Sequence, residues 1–460
     1  METFALFVIG GGPGGYSAAI RAAKLGLRVA LAEKDALGGT CLNRGCVPTK
    51  ALLHSSSTYR AAKHWESIGL KTSGLSFDIQ GIYSRMGQIV AQQRDGVAAL
   101  LKANGVTVMY GEASIVADHQ VSVNGELFTC DNILVATGSR PALLPIPGAD
   151  LPGVVTSDDL LKGLGVMYPS MVIIGGGVIG CEMASFYADL GCEVTILEAQ
   201  PRLLPLLDED LGSHLQTLFK RRKITVRCDA LVQRITGTPG ELTVTYGAKG
   251  KAKDATAAAV LLATGRWPVT DGLFAEGVEP ARNGRFLQVD KQFKTSLPDV
   301  YAIGDVIGGM QLAHKAMVEG QAVAYNLAGM ASPTDPGLVP SAVYTEPEIA
   351  AAGPTEAELQ AAGVRYKKGV YQTLGNARSQ IEQADRGFVK ILVEEETGRL
   401  LAVHMICSRA SDLISAFTPH LAAGSGYEEL LRGMRPHPSF SEAVTEALEA
   451  VDGGAIHIMP

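Results

Sequence analysis

Seven cysteines in 460 residues are too few for a secreted disulfide scaffold, and an odd number leaves at least one thiol unpaired. The expected setting is the reducing cytoplasm, where a disulfide is more often catalytic than structural. Positive charge is also short: 40 Lys and Arg face 47 Asp and Glu, a formal charge of −7. A general nucleic-acid binder carries the opposite balance. No run of about 18 apolar residues occurs, so no membrane span is expected. The apolar stretch from Phe4 to Ile9 has no basic segment before it and is broken by Gly10-Gly11-Gly12, so no secretory leader is expected. Apolar residues at 47% and charged residues at 19% rule out wholesale disorder. Glycine is in surplus, 53 residues, which signals many tight turns and close backbone approaches. At roughly 100–200 residues per domain, the length suits two to four domains.

The chain repeats itself once. Phe7-Val8-Ile9 precedes Gly10-Gly11-Gly12-Pro13-Gly14-Gly15, and Met171-Val172-Ile173-Ile174 precedes Gly175-Gly176-Gly177-Val178-Ile179-Gly180. Each reads as a buried strand, a glycine turn and an alanine-rich helix, followed by a second apolar strand ending in an acid. The acids, Glu33 and Glu198, stand at the same separation from Gly10 and Gly175. A lone glycine fingerprint fits any strand-to-helix turn. Two copies, each in a strand–helix–strand frame with a matched acid, predict two dinucleotide sites. The first glycine permits the turn, the second lets backbone approach a pyrophosphate, and the third lets helix and strand pack closely. The helix N-terminus offers free N–H groups to the phosphates. Glu33 and Glu198 are placed to accept from a ribose diol, and Glu198 would repel a 2′-phosphate, which favours NAD over NADP. Apolar strands ending in Ala136-Thr137-Gly138, Ala263-Thr264-Gly265 and Ile303-Gly304-Asp305 follow. The stretches from Val106 to Leu127 and from Ile224 to Tyr246 read as small antiparallel inserts. After about Leu338 the pattern changes to a separate α+β unit, with helices expected over Ala410 to Ala423 and Ser439 to Ala450.

Between the two repeats lies Cys41-Leu42-Asn43-Arg44-Gly45-Cys46-Val47-Pro48-Thr49-Lys50. In one regular helix the two cysteines would be separated by a rise of about 7.5 Å, beyond the limit of about 7 Å for a disulfide. They can bridge only if the segment leaves helical geometry, a freedom that Gly39 and Gly45 supply. Pro48 suits the first turn of a helix. The expectation is a loop carrying Cys41 that enters a helix near Cys46, whose N-terminus would stabilise the Cys46 thiolate. Two neighbouring buried thiols are the plainer alternative. Metal binding is a third, but no second Cys or His cluster lies nearby to complete four ligands.

With these motifs the chain resembles the flavin-dependent pyridine-nucleotide disulfide oxidoreductases, and among them the dihydrolipoamide dehydrogenase branch. The resemblance runs nearly full length, through Leu312-Ala313-His314-Lys315-Ala316, Tyr344-Thr345-Glu346-Pro347-Glu348 and His437-Pro438-Ser439-Phe440-Ser441-Glu442. It implies an α/β fold of two Rossmann-like domains, for FAD and NAD, plus a C-terminal α+β dimerisation domain. The implied segments are 1–145 and 267–337 for FAD, 146–266 for NAD, and 338–460 for dimerisation. FAD would be held by Gly10, Gly12, Gly15, Glu33, Gly39, Thr40, Thr137, Gly138, Gly304, Asp305 and Ala313. NAD would be held by Gly175, Gly177, Gly180, Glu198 and Gly265. The resemblance further implies a redox-active Cys41–Cys46 disulfide, with Cys46 toward the flavin and Cys41 toward the substrate. Lys50 would pair with Glu182 beside the flavin. His437, oriented by Glu442, would be the acid–base group, serving Cys41 across a homodimer. The implied activity is oxidation of dihydrolipoamide on a lipoylated carrier domain, of a 2-oxo acid dehydrogenase complex or a glycine cleavage system, with hydride passed to NAD⁺. Neither nucleic acid nor membrane is an expected partner.

The last pair also reads from chemistry. A His with a carboxylate five residues on forms a base–orienter dyad if the backbone turns at Pro438, and its unperturbed pKa of about 6.5 suits the task. His314 and His404 read as structural or cofactor-adjacent residues, and His457 as an interface residue. Val47, Thr49, Met310 and Arg435 depart from the usual pattern of the branch, Arg435 standing where a His is common. A glutathione reductase would carry Arg in place of Glu198, and a mercuric reductase would end in a Cys pair rather than Ile456-His457-Ile458-Met459-Pro460. A non-catalytic NAD-binding subunit would be free to lose Cys41, Cys46, His437 or Glu442, and all four are present.

Overall fold

The strand Thr3–Ile9 is apolar on both sides, with Phe7 and Ile9 packed in one core and Leu6 and Val8 in another. Such a strand belongs inside a parallel sheet covered on both faces. The computed structural model, which describes residues 3–163, 165–248 and 250–459, places it there. Residues 1, 2 and 460, the ends of the first and last expected segments, lie outside the described residues. The sheet has seven strands, in the order Thr107–Tyr110, Val29–Glu33, Thr3–Ile9, Glu126–Val135, Gln120–Val123 and Ala113–Ala117, with Val300–Ala302 also pairing on Glu126–Val135. Val300–Ala302 and Thr3–Ile9 both run parallel to that strand.

The second unit repeats the first. Ser170–Ile174 sends Met171 and Ile173 into one core and Val172 and Ile174 into another. It lies in a wholly parallel five-stranded sheet, Thr225–Arg227, Glu193–Leu197, Ser170–Ile174, Ala259–Leu262 and Val154–Thr156. A three-stranded antiparallel meander, Leu231–Thr238, Glu241–Ala248 and Lys251–Ala257, stands beside it. The C-terminal unit is a five-stranded antiparallel sheet, Ser341–Val343, Glu348–Ala352, Leu400–Cys407, Phe388–Glu394 and Tyr366–Gln372. The helix Glu442–Glu449 packs on it through Ala443, Val444, Ala447 and Leu448. The fold class is therefore the expected one, two Rossmann-like units and an α+β unit.

Several local expectations are corrected. Thr107–Tyr110 is not part of an antiparallel insert; it extends the main sheet, parallel to Val29–Glu33. Glu126–Val135 is one ten-residue strand that pairs antiparallel with Gln120–Val123 at its start and parallel with Thr3–Ile9 along its length. The helix expected over Ala410 to Ala423 is broken into Ala410–Leu413, a 3₁₀ turn and Thr418–Ala423. Pro419 accounts for the restart, because proline is tolerated in a first helical turn and not in an interior. The last helix begins at Glu442, not Ser439. The helix expected near Cys46 is Cys46–Ala62, and one long helix, Ile79–Ala103, has no counterpart among the sequence expectations. Among the described residues, no helix is long and apolar enough to cross a membrane.

Candidate active site

The two glycine turns are near copies at the level of single atoms. Gly10 and Gly175 have φ of +107° and +112°, a region that favours glycine. A Cβ on Gly10 would lie 2.4 Å from the Ala136 carbonyl oxygen, and one on Gly175 would lie 2.3 Å from that of Ala263. The third glycines are equally constrained: Cβ atoms on Gly15 and Gly180 would fall 1.8 and 2.0 Å from the carbonyl oxygens of Gly10 and Gly175. The middle glycines differ. Gly12 and Gly177 have ordinary φ values of −70° and −75°. A Cβ on Gly177 would meet nothing within 4 Å, and one on Gly12 only the Gly39 Cα at 3.9 Å. Neither backbone strain nor packing requires glycine there; each leaves open space at a helix N-terminus, a cradle that suits a pyrophosphate. Each acid folds back onto its own turn. Glu33 accepts from the Gly11 and Asp35 amides at 2.7 and 2.8 Å, and Glu198 from the Gly176 and Gln200 amides at 2.5 and 2.7 Å. These residues fit two dinucleotide cofactors.

Close helix packing brings the return segment to the first turn. Pro13–Lys24 lies against Ala313–Leu327, where a Cβ on Gly320 would stand 2.5 Å from the Gly14 carbonyl oxygen. Ala313 opens that helix, and Gly304 and Asp305 open the preceding 3₁₀ turn. Asp305 accepts from the Ser139 hydroxyl at 2.5 Å, and Arg266 donates to the Ser139 hydroxyl at 2.7 Å. Gly39 approaches the first turn so closely that a Cβ there would be 2.7 Å from the Gly12 Cα. Thr137 donates to the Val269 carbonyl at 2.7 Å, and Gly138 and Gly265 take positive φ.

The cysteine segment is two helices, not a loop and a helix. Gly39–Arg44 carries Cys41, and Cys46–Ala62 opens with Cys46. Gly45 breaks them at φ −144°, ψ −114°, where a Cβ would lie 2.9 Å from the Thr40 carbonyl oxygen and 3.2 Å from the Cys41 Cα. Asn43 pins the first helix by donating to the carbonyls of Gly39 and Leu37, at 2.9 and 3.0 Å. Cys41 and Cys46 stand as free cysteines close enough for each thiol to act on the other. The two thiols are polarised in opposite senses. The hydrogen bond with Cys46, reinforced by burial, pushes the Cys41 thiol up. The same bond lowers Cys46 to about 7 against the opposing effect of burial, and the Lys50 ammonium adds to the lowering. Sequence reading named the helix N-terminus as the source of this lowering; the structure adds Cys41 and Lys50.

Lys50 donates to both oxygens of Glu182 at 3.0 and 2.9 Å. Glu182 is buried in the helix Val178–Asp189, directly after the second glycine turn, and accepts also from the Tyr344 amide at 2.9 Å. The Lys50 ammonium lies 4.5 Å from the centre of the Tyr344 ring. Sequence reading missed Tyr344 as a member of this group; its motif was visible, but not its place. A buried Glu319 was missed as well. It accepts from the Gly304 amide at 2.7 Å and pairs with Lys315 one helical turn before it, a spacing that could have signalled it.

His437 Nδ1 lies 2.8 Å from Glu442 Oε1, and the Ser439 amide donates to Glu442 Oε2 at 2.8 Å. The imidazole side chain is 73% exposed and, among the described residues, hydrogen-bonds to Glu442 alone. The dyad is thus assembled, but it stands in the C-terminal unit and makes no hydrogen bond to the cysteine pair of its own chain. Arg435 donates to the Thr445 hydroxyl at 2.9 Å and to the carbonyls of Leu430 and Gly433, closing the end of the helix Tyr427–Leu431. His314 and His404 bond to the carbonyls of Pro340 and Pro354, structural partners as read from the sequence.

Residues 4–320 match the family model described as pyridine nucleotide-disulphide oxidoreductase, and residues 339–448 match the dimerisation domain of the same family. The chain is 40% identical over 457 residues to a dihydrolipoyl dehydrogenase of Trypanosoma brucei brucei, covering 96% of this chain and 95% of that one. It is 36% identical over 464 residues to one of Bacillus subtilis, covering 98% and 97%. Among solved structures it is similar to LpdA from Mycobacterium tuberculosis, with a TM-score of 0.89 and 28% identity over 97% of this chain and 99% of that chain. It is also similar to the HOCl-induced flavoprotein disulfide reductase RclA from Escherichia coli, with a TM-score of 0.86 and 29% identity over 96% and 99%. The doubled glycine cradles, the polarised dithiol between them and this full-length kinship agree, and the chain belongs to the pyridine nucleotide-disulphide oxidoreductase family, whose cofactors are FAD and NAD and whose dimerisation domain supports a homodimer.

Proposed function

We propose that this chain has dihydrolipoyl dehydrogenase activity, oxidising the dihydrolipoamide of a lipoylated carrier domain and delivering the electrons to NAD⁺. The observation that carries the reading is the opposite polarisation of Cys41 and Cys46 beside the Lys50–Glu182 pair. A disulfide between them has one sulfur, Cys46, that leaves readily as a thiolate, so attack is directed at Cys41. His437, held by Glu442, takes a proton from one substrate thiol. The resulting substrate thiolate attacks the Cys41 sulfur; the Cys41–Cys46 bond breaks and Cys46 carries away the electron pair. The second substrate thiol then displaces Cys41 from the mixed disulfide and passes it its proton, releasing oxidised lipoamide and leaving Cys41 as a thiol and Cys46 as a thiolate. Bound FAD and NAD⁺ supply the route by which that electron pair leaves as a hydride. FAD would be held by Gly10, Gly12, Gly15 and Glu33, with Gly39, Thr40, Thr137, Gly138, Gly304, Asp305 and Ala313 completing its site. NAD would be held by Gly175, Gly177, Gly180, Glu198 and Gly265.

The exposure of His437, whose hydrogen bond among the described residues goes to Glu442 and not to the cysteines, supports a site completed across the homodimer. The segments 1–145, 146–266, 267–337 and 338–460 serve as FAD, NAD, returning FAD and dimerisation parts. Sparse free cysteines suit a cytoplasmic setting. The deciding assay compares dihydrolipoamide with NAD⁺ against glutathione disulfide with NADPH. Turnover of the first pair is expected; turnover of the second alone would overturn the reading. A Cys41→Ser variant should keep its flavin and lose dithiol turnover.

A further inference from the structure

The helix Glu442–Glu449 carries not one His–Glu pair but two. Glu442 accepts from the His437 imidazole and the Ser439 amide. One turn along, on the same face, Glu446 accepts from the same kinds of donor: His457 Nδ1 at 2.6 Å and the His457 amide at 2.9 Å. Glu446 is nearly buried, whereas the His457 side chain is 68% exposed. Among the described residues, this buried carboxylate is hydrogen-bonded by a single tail residue that reaches back eleven positions, which calls for an account. Packing alone does not supply one, because an uncharged residue would fill the same place without two hydrogen bonds.

Two carboxylates four residues apart on a helix repel each other and favour protonation of whatever base lies between them and solvent. We propose that His457 is a second positioning residue of the acid–base centre: clamped on Glu446, it neutralises that carboxylate, so that His437 works against the charge of Glu442 alone. The inference rests on the reading of His437 and Glu442 as the dithiol acid–base pair. The surrounding charges agree with it. On the helix, Glu442, Glu446 and Glu449 all favour the charged form of His457, led by the hydrogen bond to Glu446. His457 in turn contributes to holding Glu442 below the usual carboxylate range, where burial opposes it and the Ser439 amide and His437 lead the lowering. From the facing strand Tyr366–Gln372, Tyr371 is raised by burial and by the same two carboxylates, so it stays neutral. Two further cations stand in this neighbourhood: Arg435, from the preceding loop, tied to Thr445, and Arg378, from the helix Ala377–Ile381, which lies over the Phe440 ring and is paired with Glu382.

The test is the pH profile of dihydrolipoamide oxidation by the holoenzyme. His457→Asn keeps an N–H donor and removes the charge. It leaves Glu446 bare, which favours protonated His437, so the acid limb should move upward by about half a pH unit. The double variant His457→Asn/Glu446→Gln removes both charges and should return the limb to its native position. NADH oxidation by ferricyanide, which needs no dithiol base, should be unchanged in both. An unmoved limb in His457→Asn, or a double variant as displaced as the single one, would overturn the proposal. His437→Gln separates the two ideas. If it abolishes dithiol turnover while His457→Asn leaves the limb in place, only the role of His457 falls. If it keeps dithiol turnover, both fall.

Discussion

Lys50 and Glu182, 132 positions apart, meet as a doubly hydrogen-bonded ion pair that ties the cysteine helix to the helix of the second glycine turn. The pair joins the redox segment to the nucleotide unit, so the sequence order of the two motifs becomes a single site. Glu182 is 3% exposed and, among the described residues, has only the Tyr344 amide as its other hydrogen-bond donor. Removing one partner of such a pair strands a buried charge, at a cost of about 3 kcal/mol. Lys50→Met should therefore lower the thermal midpoint and loosen flavin retention, whereas Lys50→Met combined with Glu182→Leu should recover much of the midpoint and none of the turnover.

The Cys46 thiol gives a pH signature. Its value is lowered to about 7, first by the hydrogen bond from Cys41 and then by Lys50. The thiolate is thus present above about pH 7 and is lost as the pH falls through it. Titration of the reduced enzyme by thiolate ultraviolet absorbance should show this midpoint. Cys41→Ala deletes the donor and should move the midpoint up toward the ordinary thiol range, about 8.5. Cys41→Ser keeps a hydroxyl donor and should move it less. A midpoint that ignores both substitutions would contradict the hydrogen bond.

The glycines of the second turn should separate by role. Gly180→Ala places a Cβ 2.0 Å from the Gly175 carbonyl oxygen and should disrupt the turn and the stability of the unit. Gly177→Ala meets no protein atom within 4 Å. It should leave the thermal midpoint unchanged and raise KM for NAD⁺ by about tenfold, as expected where one methyl group displaces a phosphate from its amides. Steady-state kinetics and melting curves on the two variants decide this.

A buried lysine joins the nucleotide and C-terminal units. Lys390 is 1% exposed and donates to Asp208, Asp210 and Glu356 at 2.5, 2.6 and 2.6 Å. Burial opposes its charge, and the three carboxylates overcome that and raise it. Burial likewise opposes ionisation of Asp208 and Glu356, but hydrogen bonds from Lys390 outweigh it and hold both below the usual carboxylate range. Groups lowered on folding add stability that is complete above their unfolded values and is lost as the pH falls through their folded ones. The junction should therefore weaken below about pH 4, while the raised Lys390 adds stability that is complete below the ordinary lysine value, about 10.4, and is lost as the pH rises above it. Lys390→Met should lose about 3 kcal/mol or more at neutral pH and flatten the acid dependence of the melting midpoint.

The sequence was legible where chemistry is local. Each glycine turn, its acid, the Cys41–Cys46 spacing and the His437–Glu442 dyad are set within two dozen residues, and their hydrogen bonds form inside that span. Thr107–Tyr110 was misread because a short strand in a parallel sheet looks the same as one in a hairpin until its partner, Val29–Glu33, is known. Lys390 gave no signal, since a lysine in an apolar strand can be told from a surface lysine only once the carboxylates around it are placed. Tyr344 and Glu182 were each in view, yet nothing in their spacing said that they meet.

The sequence by itself determined the two dinucleotide turns and the break in the chain between Cys41 and Cys46, because backbone strain, capping and short-range hydrogen bonds depend on neighbours along the chain. Only the tertiary structure decided that Cys41 and Lys50 both act on the Cys46 thiol, that the Tyr344 amide closes the Lys50–Glu182 pair, and that His457 stands one turn from the dyad. Those properties come from charges brought together across long stretches of chain, and their strength depends on burial that no local pattern encodes.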